Sequence, residues 1–441
     1  MIQTLGNAFK IGELRNRILF TFGAVLVFRL GCQIPTPGVD PTELAKFFAA
    51  QSNTVLGFFN LFSGGALSKF SVFALGIAPY INASIIMQLL VYVIPTLEHL
   101  AKEEGEEGRK KINQYTRYGT VGIGALQALG LAYWLENASG QMGGGLVYHH
   151  GWTFRITAVI TLTAGTAFIM WLGEQMTAKG IGNGISLLIT AGIVAGLPSA
   201  VAHSWVTFRI GDFDPAGILQ LLAVLAIVVV TTAAVVAIQD AVRKVPVQHA
   251  KRVVGRRVYG GANTHIPLRV NQAGVIPVIF ASSVLMFPTL ILSWFSNLRG
   301  GGAANDWVTS LIGMLRWGEP LYLFLESLMI IFFTYFYTAI LLNPKEMADN
   351  LKKYGGFIPG IRAGRRTADY IDRILNRVTL CGALFLAAIS VLPQLLYKYL
   401  NVPFYFGGTA LLIVVGVVLD TVRQMESHMV TRHYQGFMRR S

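Results

Sequence analysis

Ten times along its 441 residues the chain enters a long, mostly apolar stretch, and no other feature restricts its fold as severely. The stretches centre on residues 18–37, 70–94, 118–135, 153–173, 182–201, 216–238, 270–295, 320–342, 377–396 and 404–420. A helix of about 20 apolar residues crosses the hydrocarbon core of a bilayer. In that medium a helix is the open-chain form that satisfies its own backbone hydrogen bonds. The expected fold is therefore all-α, a polytopic membrane protein with ten transmembrane helices. Charged side chains make up only 13% of the chain, about half the share of a soluble domain. Arg29 inside the first stretch, with no short apolar core ahead of a small-residue cleavage site, argues against a cleavable signal.

The net charge of +14 is placed unevenly. Lys and Arg are dense in the N-terminus (Lys10, Arg15, Arg17), in loops 96–117, 239–269 and 343–377, and in the C-terminal tail. The intervening loops hold few: Lys46 and Lys69, none in 136–152, Arg209, Arg299 with Arg316, and Lys398. The light 174–181 turn, with Lys179, falls on the basic side. Basic loops stay cytoplasmic, which predicts both termini inside. Five spans per half give the halves opposite orientation, the arrangement of inverted repeats. The predicted halves are 1–206 and 207–441, joined through 198–215. They rest on the span count, since no sequence repeat is visible.

Two cytoplasmic loops are unusually rich. Residues 241–270 alternate polar and apolar side chains around a turn at Gly255, the pattern of a hairpin. Residues 343–374 open at a helix start and break at Gly355-Gly356 and Pro359.

Catalytic and cofactor motifs do not emerge. GxxxxGK[ST], HExxH and G-x-S-x-G are missing, and "GIGNGIS" (180–186) follows no strand, so it is no dinucleotide fingerprint. The eight histidines and the two cysteines, Cys32 and Cys381, lack metal-ligand or disulfide spacing. Asn82-Ala83-Ser84 matches a glycosylation acceptor but lies inside a span. No enzyme activity, cofactor or metal is expected. Ionisable residues within spans carry a default functional reading: Arg29, Glu326 and, near a boundary, Asp420. Glu326 keeps open a secondary transporter with a midplane site; snorkelling or pairing is the plainer alternative.

One stretch asks for a specific account. In "FNLFSGGALSKFSVFALGIAPYINASIIMQLL" (59–90), a short apolar half-segment, roughly Leu56 to Phe62, precedes the uncharged run Phe70–Ile94. Gly64, Gly65 and Lys69 lie between them. A half-helix has free ends and cannot face lipid. It must be buried in protein or line a watery cavity, either as a movable element on the Gly64-Gly65 joint or as a fixed packing segment. Further along, Ile77 with Ile81, and Ile185 with Ile189, fall four apart and share helix faces. A packing stripe is the ordinary reading of such pairs.

The same stretch, from "FSGGALSKF" to "QLL", resembles the SecY family of bacterial protein-conducting channels. The resemblance continues through "EGRKKINQYTRYGT" (107–120), "MWLGEQMTAKGIGNGIS" (170–186), "GRRVYGGANTHIPLRVNQAGVIPVIFASS" (255–283), "NPKEMADNLKKYGGFIPGIRAG" (343–364) and "VPFYFGGTALLIVV" (402–415). The blocks are long, in order, and cover nearly the whole chain.

The resemblance implies two pseudo-symmetric inverted halves around an hourglass pore. It implies a plug at about 57–68, with Phe58, Phe59, Leu61, Phe62, Gly64 and Gly65. It implies a waist ring of Ile77, Ile81, Ile185, Ile189, Ile279 and Ile413, an apolar constriction that offers a passing chain nothing to bind and hinders ions by dewetting. It implies a lateral gate between the second and seventh spans, with polar groups Asn82, Gln88, Asn271, Gln272, Ser282 and Ser283 and the facing Phe287. It implies docking of the motor ATPase SecA or the ribosome on the basic loops, through Arg256, Arg257 and Arg362 with Arg365 and Arg366. The small subunits SecE and SecG, signal sequences, unfolded preproteins and membrane lipids are the other partners, in a bacterial plasma (inner) membrane. Glu326 and the acidic "EHLAKEEGEEGRKK" (98–111) depart from the family pattern.

Overall fold

The computed structural model describes residues 11–50, 63–102, 104–141, 145–148, 150–198, 215–249, 252–254, 257–259, 263–285, 288, 310–311, 313–315, 318–400 and 408–438. A helix stands in each of the ten apolar stretches. In chain order the helices are α1 (Gly12–Gly31), α2 (Pro41–Ala50), α3 (Ala78–Val93), α4 (Pro95–Lys102), α5 (Gly105–Gln141), α6 (Trp152–Lys179), α7 (Gly184–Ala195) and α8 (Pro215–Asp240). They continue as α9 (Ile276–Leu285), α10 (Pro320–Leu341), α11 (Pro344–Lys353), α12 (Arg365–Leu400) and α13 (Gly408–Met438). Among the described residues, Trp152–Lys179, Leu221–Asp240, Pro320–Lys353 and Arg365–Leu395 are long and apolar enough to cross a membrane alone; α3 with α4, bent by 103°, would be a fifth. The helices α1, α5 and α13 run on into charged sequence at one end, and α7 and α9 are short.

Two stretches differ from the expected spans, for backbone reasons. The first, predicted to reach residue 37, ends as a helix at Gly31. Pro35 and Pro37 follow, and a proline both lacks a donor and pushes the preceding residue out of the α region. Ile34 and Thr36 instead pair with the next strip of chain: Thr36 N–H donates to Phe70 C=O and Val72 N–H to Ile34 C=O, each at 2.9 Å. The second, predicted from Phe70, becomes helical only at Ala78. Before it, Gly64, Gly65, Phe70 and Gly76 take positive φ, which no right-handed helix admits. The helix α3 then starts with proline in its first turn and stops at extended Ile94, before Pro95.

The two rich loops fold together. The first forms β1 (Val242–His249), β2 (Arg252–Val254), β3 (Arg257–Tyr259) and β4 (Asn263–Arg269). The outer pair runs from Val242↔Arg269 to Gln248↔Asn263, and the inner pair from Arg252↔Tyr259 to Val254↔Arg257, both antiparallel. The predicted hairpin is thus two nested ones; Gly255 itself lies outside the described residues. The second loop adds α11 and β5 (Gly356–Phe357), which pairs with β1 through Gln248↔Phe357 and His249↔Gly356. The sheet order is β4-β1-β5. Val245, Val247 and Leu268 from the sheet meet Ile358, Ile371 and Leu375 in one buried cluster. Sequence patterning treated these loops separately; the register makes them a single body.

The chain divides into two compact units, Met1–Asp212 with Ser283–Tyr322 and Val417–Ser441, and Phe213–Ser282 with Leu323–Gly416.

Candidate functional site

Residues 63–77 form a buried, non-helical strip in the first unit. Short turns tie it together: Ser71 N–H donates to Ala66 C=O (2.9 Å), Ala74 to Ser71 (2.8 Å) and Gly76 to Phe73 (2.8 Å). Phe73 is sandwiched between Phe28 of α1 and Phe168 of α6, both stacked, with centroids 6.0 and 5.9 Å away. Gly31 and Gly165 make room for it. A Cβ at Gly31 would lie 1.9 Å from the Phe73 ring, and one at Gly165 2.0 Å from Val72 O.

The Gly64-Gly65 pair, expected as a joint, is a left-handed turn with φ of 68° and 84°. Gly64 packs on Gly192 of α7, where a Cβ would meet Gly192 Cα at 2.9 Å. Arg29 Nη1 donates to Gly64 C=O at 2.8 Å. The intramembrane arginine that sequence reading left without a partner therefore holds a backbone carbonyl of this strip. Arg29→Leu is expected to speed hydrogen exchange across 63–77 about tenfold, because a hydrogen bond to a charged donor is worth about 1.5 kcal/mol or more. Mass-resolved exchange of the purified chain checks it; an unchanged rate would sever the arginine from the strip. Phe58, Phe59, Leu61 and Phe62 lie outside the described residues.

The aliphatic candidates divide between the units. Ile77 caps α3 and Ile81 sits one turn on, both buried. Ile185 is half-buried and Ile189 buried on α7. The glycine-rich "GIGNGIS" sets their position. Ile181 N–H donates to Thr21 Oγ1 of α1 (3.2 Å), Gly182 N–H to Gln424 Oε1 of α13 (2.9 Å), and Asn183 caps α7 by accepting from Ile185 and Ser186. In the second unit Ile279 of α9 and Ile413 of α13 are buried. There Gly416 lets α13 approach: a Cβ on it would stand 2.6 Å from Val275 Cγ1.

The polar candidates of α3 and α9 are only partly satisfied. Gln88 Nε2 donates to Ser84 Oγ at 3.2 Å, yet its buried Oε1 has no partner among the described residues. Asn271 Nδ2 donates to Gly274 C=O at 2.9 Å, and its Oδ1 is likewise open. Ser282 donates back to Ile279 C=O at 3.0 Å. Asn82 is buried, Gln272 and Ser283 are half-buried, and Phe287 lies outside the described residues. An unmet buried acceptor is costly, so α3 and the approach to α9 each carry a group ready to take a donor.

Arg362 is exposed in the turn after β5, its carbonyl accepting from Thr367 Oγ1 at 3.0 Å. Arg365 and Arg366 are exposed at the first positions of α12, with no acidic residue in that turn. Cations are disfavoured at a helix N-terminus, so local stability does not explain them. Arg257 belongs to β3, and Arg256 lies outside the described residues.

Sequence reading missed one constellation. Glu326 of α10 is buried, and Ser390 Oγ (2.7 Å) and Gln394 Nε2 (2.5 Å) of α12 donate to its two oxygens. The signal was available only as Ser390 and Gln394 four apart on one helix face, 64 and 68 residues from their partner.

A family model described as SecY matches residues 71–422. The protein translocase subunit SecY of Escherichia coli K12 is 51% identical over 98% of this chain and 95% of its own length. The SecY subunit of Aquifex aeolicus is 44% identical over the full length of both. Among solved structures, a protein-conducting channel superposes with a TM-score of 0.63 at 16% identity, covering 95% of this chain and 93% of the other. Sec61 in a canine ribosome–channel complex from the endoplasmic reticulum gives 0.60 at 15% identity, over the same shares.

Proposed function

The chain belongs to the SecY family, and from that premise we propose that it forms the pore through which a translocase moves unfolded preproteins. It is a membrane channel subunit and not itself an enzyme. The observation that carries the finer reading is the buried irregular strip at 63–77, latched by Arg29. Non-helical backbone at membrane depth is tolerated only where protein or a water-filled cavity surrounds it. We assign about 57–68, the half-segment together with the first turn of that strip, as the plug of a pore whose waist is ringed by Ile77, Ile81, Ile185, Ile189, Ile279 and Ile413. Residues 1–206 and 207–441 are its two inverted halves. The half-met polar groups Gln88 and Asn271 support a seam, with Asn82, Gln272, Ser283 and Phe287, that parts to release signal sequences and transmembrane segments sideways. A hydrogen bond between helices in a membrane contributes only about 1 kcal/mol, enough to close such a seam without locking it.

The test is ionic conductance of the purified complex in planar bilayers. Deleting residues 58–66 is expected to turn a quiet channel into one with frequent large openings. Equal silence from two folded samples would remove the plug assignment.

On the same reading both termini are cytoplasmic in a bacterial plasma membrane, and SecE and SecG are the small membrane partners. The composite sheet, with Arg256, Arg257 and Arg362, receives SecA or the ribosome. Arg362, Arg365 and Arg366, exposed and unneeded by the local fold, support this, since guanidinium suits both carboxylate and phosphate. Arg362→Glu is expected to cut partner-driven translocation into vesicles about tenfold or more, by replacing an attractive contact with a repulsive one. Conductance of the 58–66 deletion should stay unaltered in that background. Normal translocation would clear Arg362 of the role.

A further inference from the structure

An open groove of about 710 Å³ runs along α10 and α12 towards the basic loops. Its two ends differ in chemistry. At one end lie Phe332 and Phe336, stacked with centroids 6.1 Å apart, Phe332 being 53% exposed. At the other lie Asn343, Asp372 and Asn376. Asn376 Nδ2 donates to Asp372 Oδ2 at 3.2 Å, and Tyr335 OH donates to Asn376 C=O at 3.2 Å. Asn343 caps α11, so this polar end sits where the spanning helix has already stopped. From Phe332 to Asn343 is eleven residues, roughly 16 Å along a helix. The groove thus crosses from hydrocarbon depth to headgroup depth.

We propose that this groove binds a phospholipid with a primary ammonium headgroup. No lysine or arginine lines it, and Asp372 has no cationic partner among the described residues. An anionic headgroup would meet a carboxylate there with nothing to offset it. A primary ammonium supplies three donors to the Asp372 carboxylate and the neighbouring side-chain carbonyls. A quaternary ammonium supplies none. The Phe332–Phe336 pair gives the first part of an acyl chain an apolar bed, continuous with the lipid-facing side of α10. Headgroup and chain are therefore recognised at opposite ends of one surface, which suits a lipid better than a soluble amine or a peptide.

The test uses the full-length chain, reconstituted with equal shares of phosphatidylethanolamine, phosphatidylcholine and phosphatidylglycerol. It is re-extracted in mild detergent, and co-purifying lipid is quantified by mass spectrometry. The wild type is expected to enrich phosphatidylethanolamine over phosphatidylcholine by up to about fivefold, the most that one charge-assisted hydrogen bond contributes at an exposed site such as Asp372. Asp372→Asn should bring that ratio close to one. Ala339→Phe, which fills the groove from α10, should lower the total lipid retained whatever its headgroup. Both variants are compared at matched helical content. Equal retention of the two zwitterionic lipids by the wild type would overturn the proposal. So would preference for phosphatidylcholine, as an aromatic cage would show, or a phosphatidylglycerol excess that Ala339→Phe removes; an excess that survives Ala339→Phe belongs to the basic loops. Undiminished preference in Asp372→Asn, or no loss of lipid in Ala339→Phe, would also overturn it.

Discussion

Gly184→Ala is expected to destabilise the folded protein by about 3 kcal/mol, towards the upper end of what overpacking costs. A Cβ on Gly184 would stand 2.2 Å from Gly173 O, 2.5 Å from Met176 Cβ and 2.9 Å from Thr177 N. Two of those three atoms are backbone of α6 and cannot rotate away, so α7 must lift off its neighbour. Gly173 faces the same contact, and a Cβ there would meet Ile185 Cγ1 at 3.1 Å. The displaced helix carries Ile185 and Ile189, two residues of the proposed ring, and Gly192, on which Gly64 sits, so the change reaches both the proposed waist and the strip. Gly122→Ala on α5 is the matched control, because a Cβ there meets nothing within 4 Å. It should be neutral or stabilising by up to about 1 kcal/mol, the helix preference for alanine. Thermal unfolding of the purified chains in detergent, followed by tryptophan fluorescence, measures both. Wild-type stability in Gly184→Ala would mean that α7 is seated elsewhere.

The same residues show what could be read from sequence and what could not. Helix existence was legible at all ten stretches, because a period-free apolar run of that length in so weakly charged a chain has no other use. Helix ends were not: at Gly31 and Ala78 the deciding features are Pro35, Pro37 and a series of positive-φ residues, which hydropathy does not weigh. The strand pattern of 241–270 was visible in its alternation, but the pairing of β1 with β5 joins residues more than 100 positions apart, and no local signal carries it. Arg29 and Glu326 stood out as charges in apolar sequence. Their partners could not be found there, since one is a backbone carbonyl and the other a pair of neutral side chains. Nor does a glycine announce whether it serves a turn, as Gly64 does, or a helix contact, as Gly184 does; only the neighbouring backbone decides.

Glu326→Leu is expected to cost about 3 kcal/mol, because it takes the acceptor from the buried Ser390 hydroxyl and from one amide hydrogen of Gln394, whose Nε2 keeps only a long 3.4 Å bond to Ser390 C=O, and an unmet buried donor costs about 1–3 kcal/mol. Ser390 and Gln394 are as buried as the carboxyl they serve, at 1% and 2% exposure against 2%. Glu326→Gln keeps an acceptor in place and should lose about 1 kcal/mol or less. The informative variant is the triple change Glu326→Leu, Ser390→Ala and Gln394→Leu. A buried polar network exchanged whole for apolar side chains is often neutral or stabilising, so the triple variant should recover most of what the single one loses. Thermal unfolding gives the stabilities, and preprotein translocation into vesicles gives the function. If the group clamps α10 to α12, translocation follows stability, and both Glu326→Gln and the triple variant work. A midplane ion site, the role that a secondary transporter would give this carboxyl, makes the opposite demand: function would fail wherever the carboxyl is gone, however well the helices pack. Failure of a fully stable triple variant would therefore return Glu326 to the pore's chemistry and take it out of the scaffold.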